Sequence, residues 1–383
     1  MQFAREVWSR RHRHYAAADP SAFADVLCLD DVDALIGTGG LRFPALRVVR
    51  DGETLDRAAF TTARTTGGVR VRDAVDSEAV LQAFGAGATV VLQALHRSVT
   101  SVQDFCRSLE AFFGHPLQAN AYLTPPAARG LGCHHDTHDV LVLQLHGSKR
   151  WRLYETPVPD AVNGYPKRKR HPSPGAPTHE LELAPGDCLY LPRGVPHRAE
   201  GTDVASLHLT VGVRSPTWHD VLKRVVERAH ELPALRASLP LDYATHPGEF
   251  EAGLADALDR TAAWLCALEP TEIAAREIER ARNRRSVSAV GRLRSMAGGP
   301  IGDQPLRRAG DVPWAIEEAD AHATLRVGRA VIRFPARIAP SLRVIASLDV
   351  MTAADLGAHV DARGAEVLLR RLADEGLLRR IDA

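Results

Sequence analysis

The chain has few cysteines, few lysines and no long apolar segment. Its five cysteines are scattered without a C-x-x-C pair, so neither a disulfide framework nor a thiolate zinc site is expected. This cysteine usage fits a protein of the reducing cytoplasm. No apolar run approaches the roughly 18 residues of a membrane-spanning helix. The N-terminal MQFAREVWSRRHRHY lacks the apolar centre of a signal peptide. The formal net charge is only +1, so we expect no overall electrostatic attraction to nucleic acid or to an anionic membrane.

The length and composition indicate a folded protein of more than one domain. Hydrophobic residues make up 45% of the 383 residues and charged residues 25%, as in ordinary globular domains. Changes in pattern along the chain predict three parts. These are a mostly β domain with an N-terminal α/β elaboration, a helical region with a linker, and a C-terminal domain, over residues 1–215, 216–300 and 301–383.

Short strands separated by turns dominate the second half of the first part. DVLVLQLHG (139–147) and KRWRLYE (149–155) flank Gly147-Ser148, which predicts a two-residue β-hairpin. The proline-rich, basic stretch 157–178 is typical of a long exposed loop. Further strands are predicted after it, which favours a sandwich or small barrel, over residues 179–185, 187–192 and 206–213.

After Ser215 the apolar residues recur at helical spacing, over residues 218–230, 249–268 and 270–285. The last part has a hairpin candidate at 323–334 and a helix predicted over 362–381, and this order resembles a winged helix. Between positions 355 and 382, six acidic residues accompany five arginines. A DNA reader needs a basic face, so we expect protein contact or a structural role here and no direct DNA binding.

The stretch CHHDTHD, residues 133–139, concentrates side chains that bind metals. Residues i and i+2 of a strand share a face, so a strand entered by His134 would point His134 and Asp136 to a common centre. His135 would then lie on the solvent side or next to the ligands. His138 has the right parity but lies about 13 Å from His134 along an extended strand, too far to join the same ion.

A third ligand is offered by GDCLYLPRGVPH, residues 186–197, with the spacing G-x5-P-x-G-x2-H. The glycine makes the turn before one strand, and Pro-x-Gly turns the chain so that the next strand delivers His197 inward. Two histidines and a carboxylate leave three positions open on Fe(II), whereas structural zinc prefers a closed tetrahedral shell. The sequence therefore predicts a metal site at His134, Asp136 and His197.

Together these stretches resemble the ribosomal-oxygenase branch of the JmjC family, along residues 120–155, 186–201 and 206–213. Its members are cupin-type protein hydroxylases that depend on Fe(II) and 2-oxoglutarate. The order of parts agrees too: a JmjC double-stranded β-helix, a helical dimerisation region, and a C-terminal winged helix. The resemblance implies that His134, Asp136 and His197 bind iron and that the chain forms a homodimer.

The family anchors the distal carboxylate of 2-oxoglutarate with a basic residue on the strand after His-x-Asp. That position matches Lys149, one of only four lysines among 48 basic residues. Asn120 and Tyr122 match positions that line the co-substrate pocket. Thr210 is a further expected contact, and His208, on the same strand face, is a candidate neighbour of the ligands.

The resemblance implies a dioxygenase that uses O2 and 2-oxoglutarate to hydroxylate an amino-acid side chain in a protein, with release of succinate and CO2. A ribosomal protein is one candidate substrate. Three alternatives stay open: the same chemistry on a peptide natural-product precursor or a small molecule, lysine demethylation through the same hydroxylation step, and a non-catalytic metal-binding cupin. The family often has tyrosine at the position of His135 and proline at the position of Cys133. Because both positions lie near where a substrate would enter, these differences leave the identity of the substrate open.

Overall fold

The computed structural model describes residues 2–166, 174–285, 287–309 and 312–381. Part of the predicted basic loop, with Lys167 and Lys169, lies outside the described residues, and so does Asp382 of the C-terminal charge count. The chain divides into two compact units, Met1–Ser215 and Pro216–Ala383. No helix in the described ranges has the length and apolar character needed to cross a membrane.

The first unit consists mainly of strands. Its helices are α1 (Gln2–Glu6), α2 (Leu29–Gly37), α3 (Ser77–Gly85) and α4 (Thr100–Phe113). Its strands are β1 (Arg13–Tyr15), β2 (Leu46–Arg50), β3 (Glu53–Thr54), β4 (Thr61–Thr66), β5 (Val69–Val75), β6 (Thr89–Leu92), β7 (Leu117–Thr124), β8 (Asp139–His146), β9 (Lys149–Leu153), β10 (His179–Leu183), β11 (Cys188–Leu191), β12 (His197–Gly201) and β13 (Ser206–Val213).

Two antiparallel sheets enclose the interior of this unit. The larger has the strand order β1-β11-β8-β13-β7-β6-β2-β3, and the smaller has the order β10-β9-β12. Val140 and Val142 of β8 share a buried core with Trp151 and Leu153 of β9, so the two sheets pack against each other. This mostly β architecture agrees with the fold class expected of the first domain.

The larger sheet is buried on both faces. On β13, Leu207 and Leu209 belong to a core that includes Val102 and Cys106 of α4. Because side chains alternate along a strand, the even-numbered residues of β13 face the other way, toward the smaller sheet. The larger sheet therefore points polar side chains into the interior between the sheets, while apolar packing on its other face holds the strands in place.

The predicted hairpin at Gly147-Ser148 is wrong, although both strands exist. β8 pairs with β11 and β13, whereas β9 pairs with β10 and β12, so the turn carries the chain from one sheet to the other. The Gln144 side chain donates to the carbonyl oxygens of His146 and Gly147, at 2.9 and 3.1 Å. Gly147 has φ +59°, and a Cβ there would overlap the carbonyl oxygen of Ala205.

The second unit begins with helices and ends in a mixed α/β segment. Its helices are α5 (Trp218–Glu227), α6 (Pro247–Ala267), α7 (Pro270–Arg284), α8 (Arg292–Ala297), α9 (Ala339–Ser347) and α10 (Ala362–Asp374). Its strands are β14 (Leu306–Arg308), β15 (Trp314–Glu318), β16 (His322–Val327), β17 (Ala330–Pro335), β18 (Val350–Met351) and β19 (Leu378–Arg380). They form two sheets, β18-β14-β19 and β15-β16-β17.

Of the local predictions in this unit, one hairpin is confirmed and one helix end is wrong. The hairpin candidate at 323–334 is confirmed, since β16 and β17 pair antiparallel with Val327 opposite Ala330. The helix predicted to reach residue 381 is wrong at its end. It stops at Asp374, Gly376 takes φ +78°, and β19 follows. The structure describes α6 and α7 in full, and neither contains a buried residue.

Candidate metal centre and its pocket

The segment that carries His134 and Asp136 is not a strand, so the predicted strand parity is wrong, since β8 begins only at Asp139. Instead, the backbone of His134 forms an isolated bridge with His197. The His134 N–H donates to the His197 carbonyl at 3.1 Å, and the His197 N–H donates back at 2.8 Å. The Gly194 N–H also donates to the Asp136 carbonyl at 2.9 Å. These bonds join the two distant motifs directly.

The bridge brings the three predicted ligands together. His134, Asp136 and His197 each offer a ligand atom, and these atoms all lie within 4.8 Å of one another. Among the residues that the structure describes, no other group of three or more His, Cys, Asp or Glu side chains meets this condition. Two imidazoles and one carboxylate are a donor set that suits Fe(II) with open coordination positions.

Backbone carbonyls orient both imidazoles for metal binding. Nδ1 of His134 lies 2.9 Å from the Gly132 carbonyl, and Nδ1 of His197 lies 2.9 Å from the Val195 carbonyl. A donor proton on each Nδ1 leaves the Nε2 lone pair for the metal. Burial, followed by the charge of His134, lowers the pKa of His197 to about 4. That imidazole is therefore neutral near pH 7, and the residues present fit a divalent ion.

A cavity opens beside the three ligands. Lys149, Tyr122 and Thr210 line it together with the ligands, whereas Asn120 does not. Instead the Asn120 Oδ1 accepts a hydrogen bond from the Ala94 N–H at 2.9 Å. The structure thus brings six of the seven predicted site residues to one cavity and leaves Asn120 beside it.

Lys149 is buried at the wall of this cavity, with 2% of its surface exposed. Its Nζ donates to the Thr124 hydroxyl at 2.7 Å, and the Thr89 hydroxyl contacts the same oxygen at 3.2 Å. Burial lowers the pKa of Lys149 to about 7. In the described part of the chain no carboxylate forms an ion pair with this ammonium. A buried amine with spare donors in a ligand cavity is suited to an anionic ligand.

Aromatic rings line the cavity between Lys149 and the metal ligands. His208 stacks on Tyr122 with ring centroids 4.9 Å apart, and Trp151 meets His208 edge-on at 5.6 Å. Trp151 also lies 5.8 Å from the His197 ring. Burial, followed by the negative charge of Asp136, raises the pKa of Tyr122 to about 12, so its phenol stays protonated.

Thr89, Thr124 and Trp151 lie at this site but are not among the residues predicted from sequence. A signal for two of them was present, since Thr124 shares the face of Tyr122 and Trp151 shares the face of Lys149 by the two-residue period of strands. His135, expected on the solvent side or next to the ligands, is buried, with 2% of its surface exposed. The solvent-side alternative for His135 is therefore wrong.

The family model of the JmjC domain matches residues 93–221, a segment that contains the three metal-ligand candidates and Lys149. The chain contains a JmjC domain. Its similarity to the ribosomal-oxygenase branch is confirmed by curated relatives. This protein is 39% identical over 160 residues to the bifunctional lysine-specific demethylase and histidyl-hydroxylase NO66 of Dictyostelium discoideum, covering 39% of the chain and 31% of that relative.

Human ribosomal oxygenase 1 is 30% identical over 256 residues, which cover 64% of this chain and 38% of the relative. The chain thus spans well under half the length of these curated relatives. Among solved structures, Escherichia coli YcfD matches 98% of this chain and 96% of its own, with a TM-score of 0.55 and 18% identity. A structure of YcfD in complex with cobalt and 2-oxoglutarate matches with a TM-score of 0.53 and 17% identity, over the same shares. The likeness shows a shared JmjC and cupin-like fold.

Proposed function

We propose that this protein is an Fe(II)- and 2-oxoglutarate-dependent dioxygenase that hydroxylates an amino-acid side chain of a protein. One observation carries the proposal: a two-histidine, one-carboxylate cluster and the buried Lys149 line the same cavity. The first part suits Fe(II) and the second suits a carboxylate. The YcfD complex with cobalt and 2-oxoglutarate supports this pairing of ligands.

Bound iron would supply the activation of O2 that couples decarboxylation of 2-oxoglutarate to succinate and CO2 with insertion of an oxygen atom into a substrate C–H bond. His134, Asp136 and His197 would hold the ion through their Nε2 and carboxylate oxygens. Lys149 would pair with the distal carboxylate of 2-oxoglutarate, next to the protonated Tyr122 hydroxyl. The carboxylate of Asp136 would bind the ion where a halogenase needs halide.

The apolar wall of the cavity would exclude water from the reaction. Val140 and Val142 are buried on one side, and Trp151 is buried on the other. Water exclusion strengthens the electrostatic contacts of Lys149 and protects reactive species from side reactions. The protein therefore contributes ligand geometry, orientation and a dry cavity, while the metal and co-substrate contribute the bond-making chemistry.

A groove outside the cavity supports a polypeptide substrate. Gly130, Leu131 and Ala199 line both the groove and the metal cavity, so the two spaces adjoin. The groove is also lined by charged side chains of both signs, including Glu53 and Arg129. The names of the relatives point to ribosomal proteins and to histidine as the hydroxylated residue, and we extend both to this chain as proposals.

We further propose that the chain acts as a homodimer through its helical region. Apolar side chains of the two long helices are exposed, with Leu258 of α6 at 61% and Ile278 of α7 at 52%. Burial of such residues is favourable by about 25 cal/mol per Å² of apolar surface. A winged-helix role for the C-terminal segment and residence in the cytoplasm stay predictions, as does the expectation that this segment does not bind DNA.

The proposed activity is tested by anaerobic loading with Fe(II), followed by O2, 2-oxoglutarate and a cell extract from a strain that lacks the gene. We expect succinate release that the extract stimulates, and a protein in the extract that gains one oxygen atom by mass spectrometry. A fully iron-loaded protein without stimulated turnover would instead support a non-catalytic cupin. Stimulation by the small-molecule fraction alone would support the alternative substrate.

A further inference from the structure

His208 lines the cavity and carries a buried polar atom that the proposed function leaves unused. The residue lines the cavity wall and exposes only 3% of its surface. Its Nδ1 is enclosed and has no hydrogen-bond partner within the ranges that the structure describes. Because buried polar atoms are nearly always paired, an unpaired one at a ligand cavity points to a missing hydrogen-bond partner there.

The surroundings of the ring hold it in place. His208 of β13 lies directly opposite Tyr122 of β7 in the sheet register, and the two rings are parallel within 1°. Trp151 packs edge-on against His208 from the opposite sheet. With rings on its face and its edge, His208 has little freedom to turn Nδ1 toward another protein atom.

The chemistry of the neighbourhood favours a ligand with acidic oxygens. Burial, followed by the charge of Lys149, lowers the pKa of His208 well below its usual value. The imidazole is therefore neutral and offers one N–H donor next to a lysine with spare donors. A neutral donor beside an ammonium can bind a carboxylate without adding a second unpaired charge to the cavity.

We propose that His208 donates a hydrogen bond directly to the ligand that Lys149 holds, which under the proposed function is 2-oxoglutarate. This inference rests on the proposed function. It assigns to His208 a binding role rather than only contact with the metal ligands. The competing explanation is a bound water that accepts or donates a hydrogen bond at Nδ1.

The test compares His208→Phe with His208→Asn in the full chain. Phenylalanine keeps a ring on Tyr122 but has no nitrogen, whereas asparagine keeps a donor. Dissociation constants for Mn(II) and for 2-oxoglutarate in the presence of Mn(II) are measured by calorimetry. His146→Asn on the exposed end of β8 is the matched control, because it replaces a histidine outside the cavity.

We expect His208→Phe to weaken 2-oxoglutarate binding by about tenfold, the loss that corresponds to one hydrogen bond. Mn(II) binding should stay unchanged, and His208→Asn should recover part of the loss. Wild-type affinity for 2-oxoglutarate in His208→Phe would overturn the inference and leave water as the partner. If the wild-type protein itself bound no 2-oxoglutarate, the proposed function would fail, which is a different result.

If the variants do not fold, the contact between His208 and 2-oxoglutarate can be measured in the wild-type protein by NMR. In wild-type protein with 15N-labelled histidine and Zn(II), 2-oxoglutarate should shift the side-chain nitrogen resonances of His208. A ligand-saturated sample in which these resonances do not move would contradict direct contact.

Discussion

The Nζ of Lys149 lies 2.7 Å from the Oγ1 of Thr124, across the interior that separates the two sheets of the first unit. The contact links the smaller sheet to the larger one, because Lys149 begins β9 and Thr124 ends β7. It holds a buried amine at the wall of the metal cavity through a neutral hydroxyl. This arrangement makes the charge of Lys149 sensitive both to pH and to the arrival of an anionic ligand.

Stability should therefore rise as the pH increases through the range just above neutrality. Burial lowers the pKa of Lys149 from its usual value of 10.5, as in the unfolded chain, to about 7 in the folded protein. Between these values the unfolded chain binds more protons, so raising the pH favours the folded state by up to a few kcal/mol. Urea unfolding of wild type and Lys149→Met at several pH values measures this difference. Equal pH slopes in the two proteins would contradict it.

Binding of 2-oxoglutarate should reverse that effect, because a carboxylate beside Lys149 favours the charged amine. Above pH 7 the complex should take up a proton, which calorimetry in buffers of different ionisation enthalpy detects. Proton uptake should be lost in Lys149→Met. Identical heats in all buffers for the wild-type protein would show that the amine is already charged before the ligand binds.

Gly212 of β13 should be intolerant of a side chain because of His138. A Cβ at position 212 would overlap the imidazole ring of His138, just before β8. We expect Gly212→Ala to lower the free energy of unfolding by about 1–3 kcal/mol, as overpacking does. In a His138→Ala background the same change should cost much less. Equal costs in both backgrounds, measured by urea unfolding, would place the strain elsewhere.

If the chain is a homodimer through its helical region, substitutions in that region should halve its mass in solution. Wild-type protein should sediment as a dimer, and Leu258→Asp with Ile278→Asp should give a monomer, because a buried carboxylate without a partner is costly. Leu81→Asp on α3, which replaces another exposed leucine, is the control. A wild-type monomer at micromolar concentration would contradict the proposal.

The metal ligands could be predicted from sequence because their motifs are specific in spacing. The strand predicted to carry His134 and Asp136 is nevertheless wrong, because β8 begins only at Asp139. Their side chains meet His197 because the backbones of His134 and His197 bond to each other. That bond joins segments about sixty residues apart, and no local pattern encodes it.

The Gly147-Ser148 turn shows a second limit of local patterns. Two alternating strands joined by two residues fit a hairpin and a crossing between sheets equally well. The choice is made by distant partners, since β8 bonds to β13 and β9 bonds to β12. Thr124 and Trp151 could have been predicted from strand parity. The enclosed Nδ1 of His208 could not, because it depends on three-dimensional packing.

The proposed activity depends most on one shared cavity for a metal and 2-oxoglutarate. Titration of 2-oxoglutarate into Mn(II)-loaded protein tests it directly, with His134→Ala, Lys149→Ala and the exposed control Lys223→Ala in parallel. We predict saturable binding in wild type and Lys223→Ala, loss in His134→Ala because Mn(II) is lost, and binding weakened by about tenfold or more in Lys149→Ala with Mn(II) retained. Binding of 2-oxoglutarate that is unaffected by both the His134 and the Lys149 substitutions would contradict a shared cavity for the metal and 2-oxoglutarate.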